Sequence, residues 1–154
     1  EVILYVSILS TLVFGIASFV NIISVARVKS QTMTEVNHQA LQVMQVINQT
    51  IHGAQQINSP TIGSEQPTLS VVDPGNNTTI FTLNEGTITI DRGAGAVTLT
   101  NDRVLAENLT FKNLSRSGTP DIIQINFTLS YKNDFNQTMY DYSNTYVTAA
   151  RLYK

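Results

Sequence analysis

The side chains able to do chemistry are few in this chain, and they stand apart. His38 and His52 are its two histidines and lie far apart on one helical stretch, where surface positions are expected rather than a metal site. Cysteine is absent, which removes disulfides, thiolate catalysis and cysteine metal sites together. Asp134, Asn136 and Asp141 offer oxygen ligands in one loop, but their spacing matches no calcium loop. Gly93-Ala94-Gly95 reads as a turn; no helix follows it to present an N-terminus to a phosphate. Lys112, Arg116 and Lys132, near Phe111 and Tyr131, are too few for a nucleic-acid strip and read as a solvated face. Asn-x-Ser/Thr triplets begin at Asn48, Asn76, Asn77, Asn108, Asn113, Asn126 and Asn136. Asn76, Asn77 and Asn136 are the candidates for a sugar, although a chain rich in Asn and Thr generates such triplets by chance. There is no Ser-His-Asp order and no paired-carboxylate cleft. The chain is therefore read as a non-enzyme with no cofactor, no metal and no nucleic-acid partner.

What remains is Glu1 and the run behind it. Glu1 is the only charged residue before Arg27, at the head of EVILYVSILSTLVFGIASFVNIISVA. This stretch exceeds the roughly 20 apolar residues that a helix needs to cross a bilayer. A secretory signal peptide fits poorly, because its apolar region is shorter and is preceded by basic residues. A lone carboxylate at the head of such a segment is costly in lipid unless something pairs it. The chain as a whole is sparing with charge: 13% of residues are charged, against about 25% in typical domains. The net charge of −2 creates no field that would recruit an acidic or basic partner.

The elements that must carry this head group follow from periodicity. After Ala26 the apolar residues recur at Met33, Val36, Ala40, Val43, Met44, Ile47, Ile51, Ala54 and Ile57, one stripe of a helix. Proline is absent before Pro60. The spacing predicts a single helix over about 2–57, stopped at Asn58-Ser59-Pro60. No globule of 154 residues can bury so long a rod, so its first half must lie in lipid or against other copies. From Thr68 the pattern becomes strand-like. Leu69–Val72 ends at Asp73-Pro74-Gly75; Thr78–Leu83 and Thr87–Asp91 flank Asn84-Glu85-Gly86 as a hairpin. Ala96–Thr100, Asp121–Tyr131 and Tyr140–Leu152 follow, with Val104–Phe111 mixed and Ser115–Pro120 a loop. An antiparallel sheet needs a cover for its apolar face, and the stripe from Met33 to Ile57 can supply it. The expected fold is α+β: a membrane or fibre-core helix at 1–26, its amphipathic continuation at 27–58, and a β-rich head at 59–154.

With these residues in view, the chain resembles the bacterial type IV pilin and pseudopilin family. The likeness is carried by Glu1-Val2-Ile3-Leu4 followed by Tyr5-Val6-Ser7-Ile8-Leu9, and by a long helix leading into a β-rich domain. The C-terminal disulfide of many pilins has no counterpart here. The resemblance implies that a leader and the first mature residues, including the methylated one, lie upstream of Glu1. It implies a structural subunit, the major pilin being the first reading, held in the inner membrane as a single-pass protein before it joins an extracellular surface filament. The partners implied are further copies of the chain in a helical homopolymer, a prepilin peptidase, and the assembly platform with its ATPase. The self-assembly residues implied are Glu1, Val2, Ile3, Leu4, Tyr5, Ile8, Leu12, Phe14, Gly15 and Phe19, with Glu1 pairing the N-terminal amine of a neighbouring subunit. Gly15 has two readings: a weak point where the helix unwinds on leaving lipid, or a close helix contact beside Ser7, Thr11 and Ser18. Arg27 and Lys29 would by themselves place their side in the cytoplasm, whereas the resemblance requires the head outside. The alternatives are a minor pilin or pseudopilin of a secretion or DNA-uptake system, and a single-pass membrane protein with an outer binding domain.

Overall fold

A computed structural model describes residues 1–134 and 137–153. One helix, α1, runs Val2–Gly53 without a break, 52 residues or about 78 Å at 1.5 Å per residue. Straight-chain and branched apolar residues with no internal proline sustain it, and glycine occurs inside it only at Gly15. Its end comes earlier than the proline signal implies. Ala54 is already extended (φ −74°, ψ 153°), and the Gln55 N–H donates to the Val72 carbonyl at 2.7 Å. Gln56 and Ile57, expected as the end of the helix, belong instead to strand β1 (Gln56–Ser59). Gly53 weakens the helix at this point, and Ile57 gains a ladder position opposite Val71 in place of another turn.

Among the described residues the strands continue as β2 (Glu65–Gln66), β3 (Leu69–Val72), β4 (Thr78–Asn84), β5 (Thr87–Asp91), β6 (Ala96–Thr98), β7 (Val104–Asn113), β8 (Ile122–Tyr131) and β9 (Ser143–Arg151). They form two antiparallel sheets rather than the single one expected, in the orders β1-β3-β4-β5-β6 and β2-β7-β8-β9. The β4–β5 hairpin closes through Glu85 (φ 47°) and Gly86 (φ 75°), the left-handed pair that a two-residue turn between twisted strands requires. The tip of this hairpin joins the sheets: the Ala106 N–H donates to the Gly86 carbonyl at 2.7 Å, and the Leu105 side chain occupies the space a Cβ on residue 86 would need. At Glu107–Thr110 the β7–β8 register slips, with Asn108 at φ 54°. The bulge turns Leu109 into the core and leaves Asn108 exposed.

The core lies between α1 and the sheets. β8 alternates strictly, burying Ile123, Ile125, Phe127 and Leu129 while Gln124, Asn126 and Thr128 turn outward. Val36, Ala40, Val43, Ile47 and Ile51 meet them from α1, completely buried. Leu69, Val71, Phe81, Ile88 and Ile90 bring the five-stranded sheet into the same core. One member of the expected stripe falls outside it. Met33 is 41% exposed and Thr32 takes the buried position, because the seam steps back by fours from Ala40 through Val36.

Candidate functional site

The two halves of α1 have opposite surroundings. Every residue from Glu1 to Arg27 is exposed, whereas burial begins at Val28 and Thr32. The exposed half contains an 18-residue window of mean hydropathy 2.2 with none of it buried, long and apolar enough to cross a membrane. Val2, Ile3, Phe14 and Tyr5 are 76%, 84%, 76% and 70% exposed, values that no isolated water-soluble surface sustains over such a length. At about 100° per residue, Leu4, Tyr5, Ile8, Leu12, Gly15 and Phe19 fall on one face. Val2, Ile3 and Phe14 point elsewhere, so the residues expected to assemble are not all brought together. Most of the rod's surface is apolar, and its few polar side chains, Ser7, Ser10, Thr11, Ser18, Asn21 and Ser24, lie off that face among Ile3 and Phe14, a pattern that a helix surrounded by lipid or by other helices can carry.

Its hydroxyls fit that setting. Ser7, Ser10, Thr11 and Ser24 each donate to the carbonyl four residues back (Ile3, Val6, Ser7 and Val20) at 2.7 to 2.9 Å. Hydrogen bonding within the helix lets them enter an apolar medium without an orphaned donor. Glu1 differs. Its backbone carbonyl accepts from the Leu4 and Tyr5 N–H groups at the first turn of α1, but its carboxylate makes no capping bond. The helix dipole favours it there, and its oxygens remain available to a cation from outside the chain. Around Gly15 there is open space, so nothing in the chain itself requires a glycine at that position.

The direction in which the rod leaves the head is set by polar contacts that sequence reading missed. The Asn101 side-chain amide donates to Glu35 Oε1 at 2.6 Å, its backbone N–H donates to Gln39 Oε1 at 3.3 Å, and the Tyr146 hydroxyl donates to Asn37 Oδ1 at 2.6 Å. Burial pushes the Tyr146 hydroxyl above the ordinary tyrosine range, the neighbouring Tyr142 adds to this, and a hydrogen bond with Asn144 opposes it. Asn37 and Gln39 lie between the members of the apolar stripe, where periodicity assigns them no partner. The one available signal was the step of four from Glu35 to Gln39, which places two polar side chains on the flank of the buried seam.

The other sequence candidates scatter. His38 and His52 are both exposed, the latter with its ring 5.2 Å from that of Tyr153. Phe111 is fully buried, which removes it from any strip with Lys112 and Arg116. Asn76 is exposed. Asn77 is also exposed but donates its amide to the Asp73 carboxylate at 3.1 Å, and the backbone and then the side chain of Asn77 hold that carboxyl below its usual range. Asn113 is buried and committed to the Pro60 carbonyl at 2.9 Å, so it is no sugar acceptor. Asn136 lies outside the described residues. Among the described residues no group of three His, Asp or Glu side chains could hold a metal.

Comparison with known proteins brings no match to a family model, a curated protein or a solved structure.

Proposed function

We propose that the chain is a structural subunit of a type IV pilus-like surface filament, the major pilin in the first instance. It is held in the inner membrane by residues 2–26 and then assembled into a helical homopolymer through that same helix. The observation that carries this reading is the unbroken α1. A rod anchored in a folded head over Thr32–Ile51 continues as an exposed, predominantly apolar half that carries one carboxylate, Glu1, with no capping bond. Lipid satisfies the apolar half before assembly, and a bundle of identical helices satisfies it afterwards. Within such a bundle the Glu1 carboxylate has a counterpart in the N-terminal amine of a neighbour. That pair would set the axial register while the apolar flanks supply adhesion. The resemblance of the first nine residues to the pilin family supports the same reading, and it supplies the processing peptidase and the ATP-driven platform as further partners.

Negative-stain microscopy of sheared surface material, with mass spectrometry of the fibres, tests the proposal. Fibres composed mainly of this chain are expected, and Glu1→Gln should leave membrane insertion intact while fibre yield collapses. Absence of the chain from all fibres, with the protein confined to the membrane fraction, would refute a filament role and leave a single-pass anchor. A normal fibre yield from Glu1→Gln would refute the charge pair.

A further inference from the structure

A sheet edge recognises one kind of ligand, an extended backbone, and native edges are usually blunted against unwanted pairing by shortness, bulges, proline or charge. Most edges of this head are blunted. β1 is bulged between Ile57 and Ser59 and runs into Pro60. β2 is two residues long and is followed by Pro67, and β6 is three residues long. The outer edge of β9 carries none of these devices. It spans nine residues, pairs with β8 without a register shift, contains neither proline nor glycine, and bears one charge, Arg151, at its end.

The register states which groups this edge presents. The Tyr131 N–H donates to the Tyr142 carbonyl, and the Leu152 N–H donates to the Asp121 carbonyl. Even-numbered residues from Tyr142 to Leu152 therefore bond to β8, and Ser143, Thr145, Val147, Ala149 and Arg151 turn their N–H and C=O groups to the open side. All five of these residues are exposed, and among the described residues no other element bonds to their backbone. We infer that the outer edge of β9 is a docking site for an extended segment of another protein, added as a further strand.

The features of the edge define the partner. Thr145, Val147 and Ala149 are small or β-branched, so they pack best beside small or β-branched neighbours. Arg151 favours an acidic residue opposite the end of the strand. A second copy of the chain fits poorly. Its other edges are too short or too guarded to match nine residues. Two β9 strands joined antiparallel about an axis normal to the sheet would point their α1 helices in opposite directions, which insertion into one membrane forbids. The inference uses only the membrane insertion of α1 and stands whether or not the chain forms fibres.

Amide hydrogen exchange on the full chain in lipid nanodiscs tests it. The probe is a capped peptide of alternating Thr and Val, matched to β9 in length, with Glu placed to face Arg151. In the free chain, the outward amides of Thr145, Val147 and Ala149 should exchange fast and the inward amides of Tyr146 and Thr148 slowly. With peptide at about ten times its Kd, the outward amides should slow by roughly tenfold while the inward ones stay unchanged. Val147→Pro removes an outward donor without breaking a bond to β8, so it should preserve the slow inward amides and abolish the peptide effect. Outward amides that ignore the peptide, or equal protection in Val147→Pro, would overturn the assignment. So would outward amides already protected without peptide in proportion to protein concentration, since that would give the edge to a second copy.

Discussion

The two halves of α1 are the same secondary structure under opposite constraints. Residues 32–51 are a seam: one face is buried against the sheets, and the other is mostly polar, with Leu41 and Met33 as its exposed apolar members. Residues 2–26 are a rod with no packing partner within the chain and no charged side chain, its polar groups being serine and threonine hydroxyls and Asn21. The seam owes its stability to tertiary packing, and the rod draws its stability from whatever medium surrounds it. A helix can thus be continuous in backbone while its two ends answer to different solvents.

The largest expected contrast comes from truncating one buried and one exposed residue. Ile47→Ala removes completely buried atoms between α1 and β8, and should lower head stability by about 2–5 kcal/mol in denaturant melts. Leu12→Ala, 58% exposed in the wild type, should leave the same melt unmoved. Equal losses would mean that the rod folds back on the head and that the two halves do not differ.

Glycine sharpens the comparison at the next level. Gly86→Ala forces a side chain into a left-handed turn (φ 75°) against Leu105, and should destabilise the head by about 1–3 kcal/mol. Gly15→Ala enters open space and should instead raise helix propensity by about 0.5–1 kcal/mol, read as higher helicity in micelles with an unchanged head melt. A head destabilised by Gly15→Ala would place a head contact on the rod.

The smallest effect is one of pH, and it belongs to the head alone. The Asp73 carboxyl is held low by the Asn77 N–H and amide, so the charged form favours the fold. Its contribution is present above the ordinary carboxylate range and lost as the pH falls through the lowered native value. Tyr146 has the opposite sign: raised by burial, it contributes below the ordinary tyrosine range and loses that contribution as the pH climbs above it. Melting temperatures across pH should show a shallow acid loss that Asp73→Asn removes, and an alkaline loss that Tyr146→Phe removes. An acid limb unchanged in Asp73→Asn would assign it to other carboxylates.

Legibility followed the range of the forces involved. The α+β class, the long helix, the β4–β5 hairpin and the alternation of β8 rest on local periodicity and turn chemistry, so they could be read from residues a few positions apart. The character of the rod was readable for the same reason, since a run with one charge at its head needs no fold to be apolar. The end of α1 at Gly53, the division of the strands into two sheets and the choice of Thr32 over Met33 for the seam could not be read. Each depends on a partner far along the chain: Val72 capturing Gln55, Gly86 bonding Ala106, the sheet fixing the phase of the helix. The contacts from Asn101 to Glu35 and Gln39, and from Tyr146 to Asn37, belong to the same group, because a hydrogen bond between residues so remote leaves no periodic trace. The sequence by itself determined that this protein has one apolar half-helix in search of a medium. Only the tertiary structure decided which way that half leaves the head and which sheet edge stays open, since both depend on contacts between residues distant in the chain.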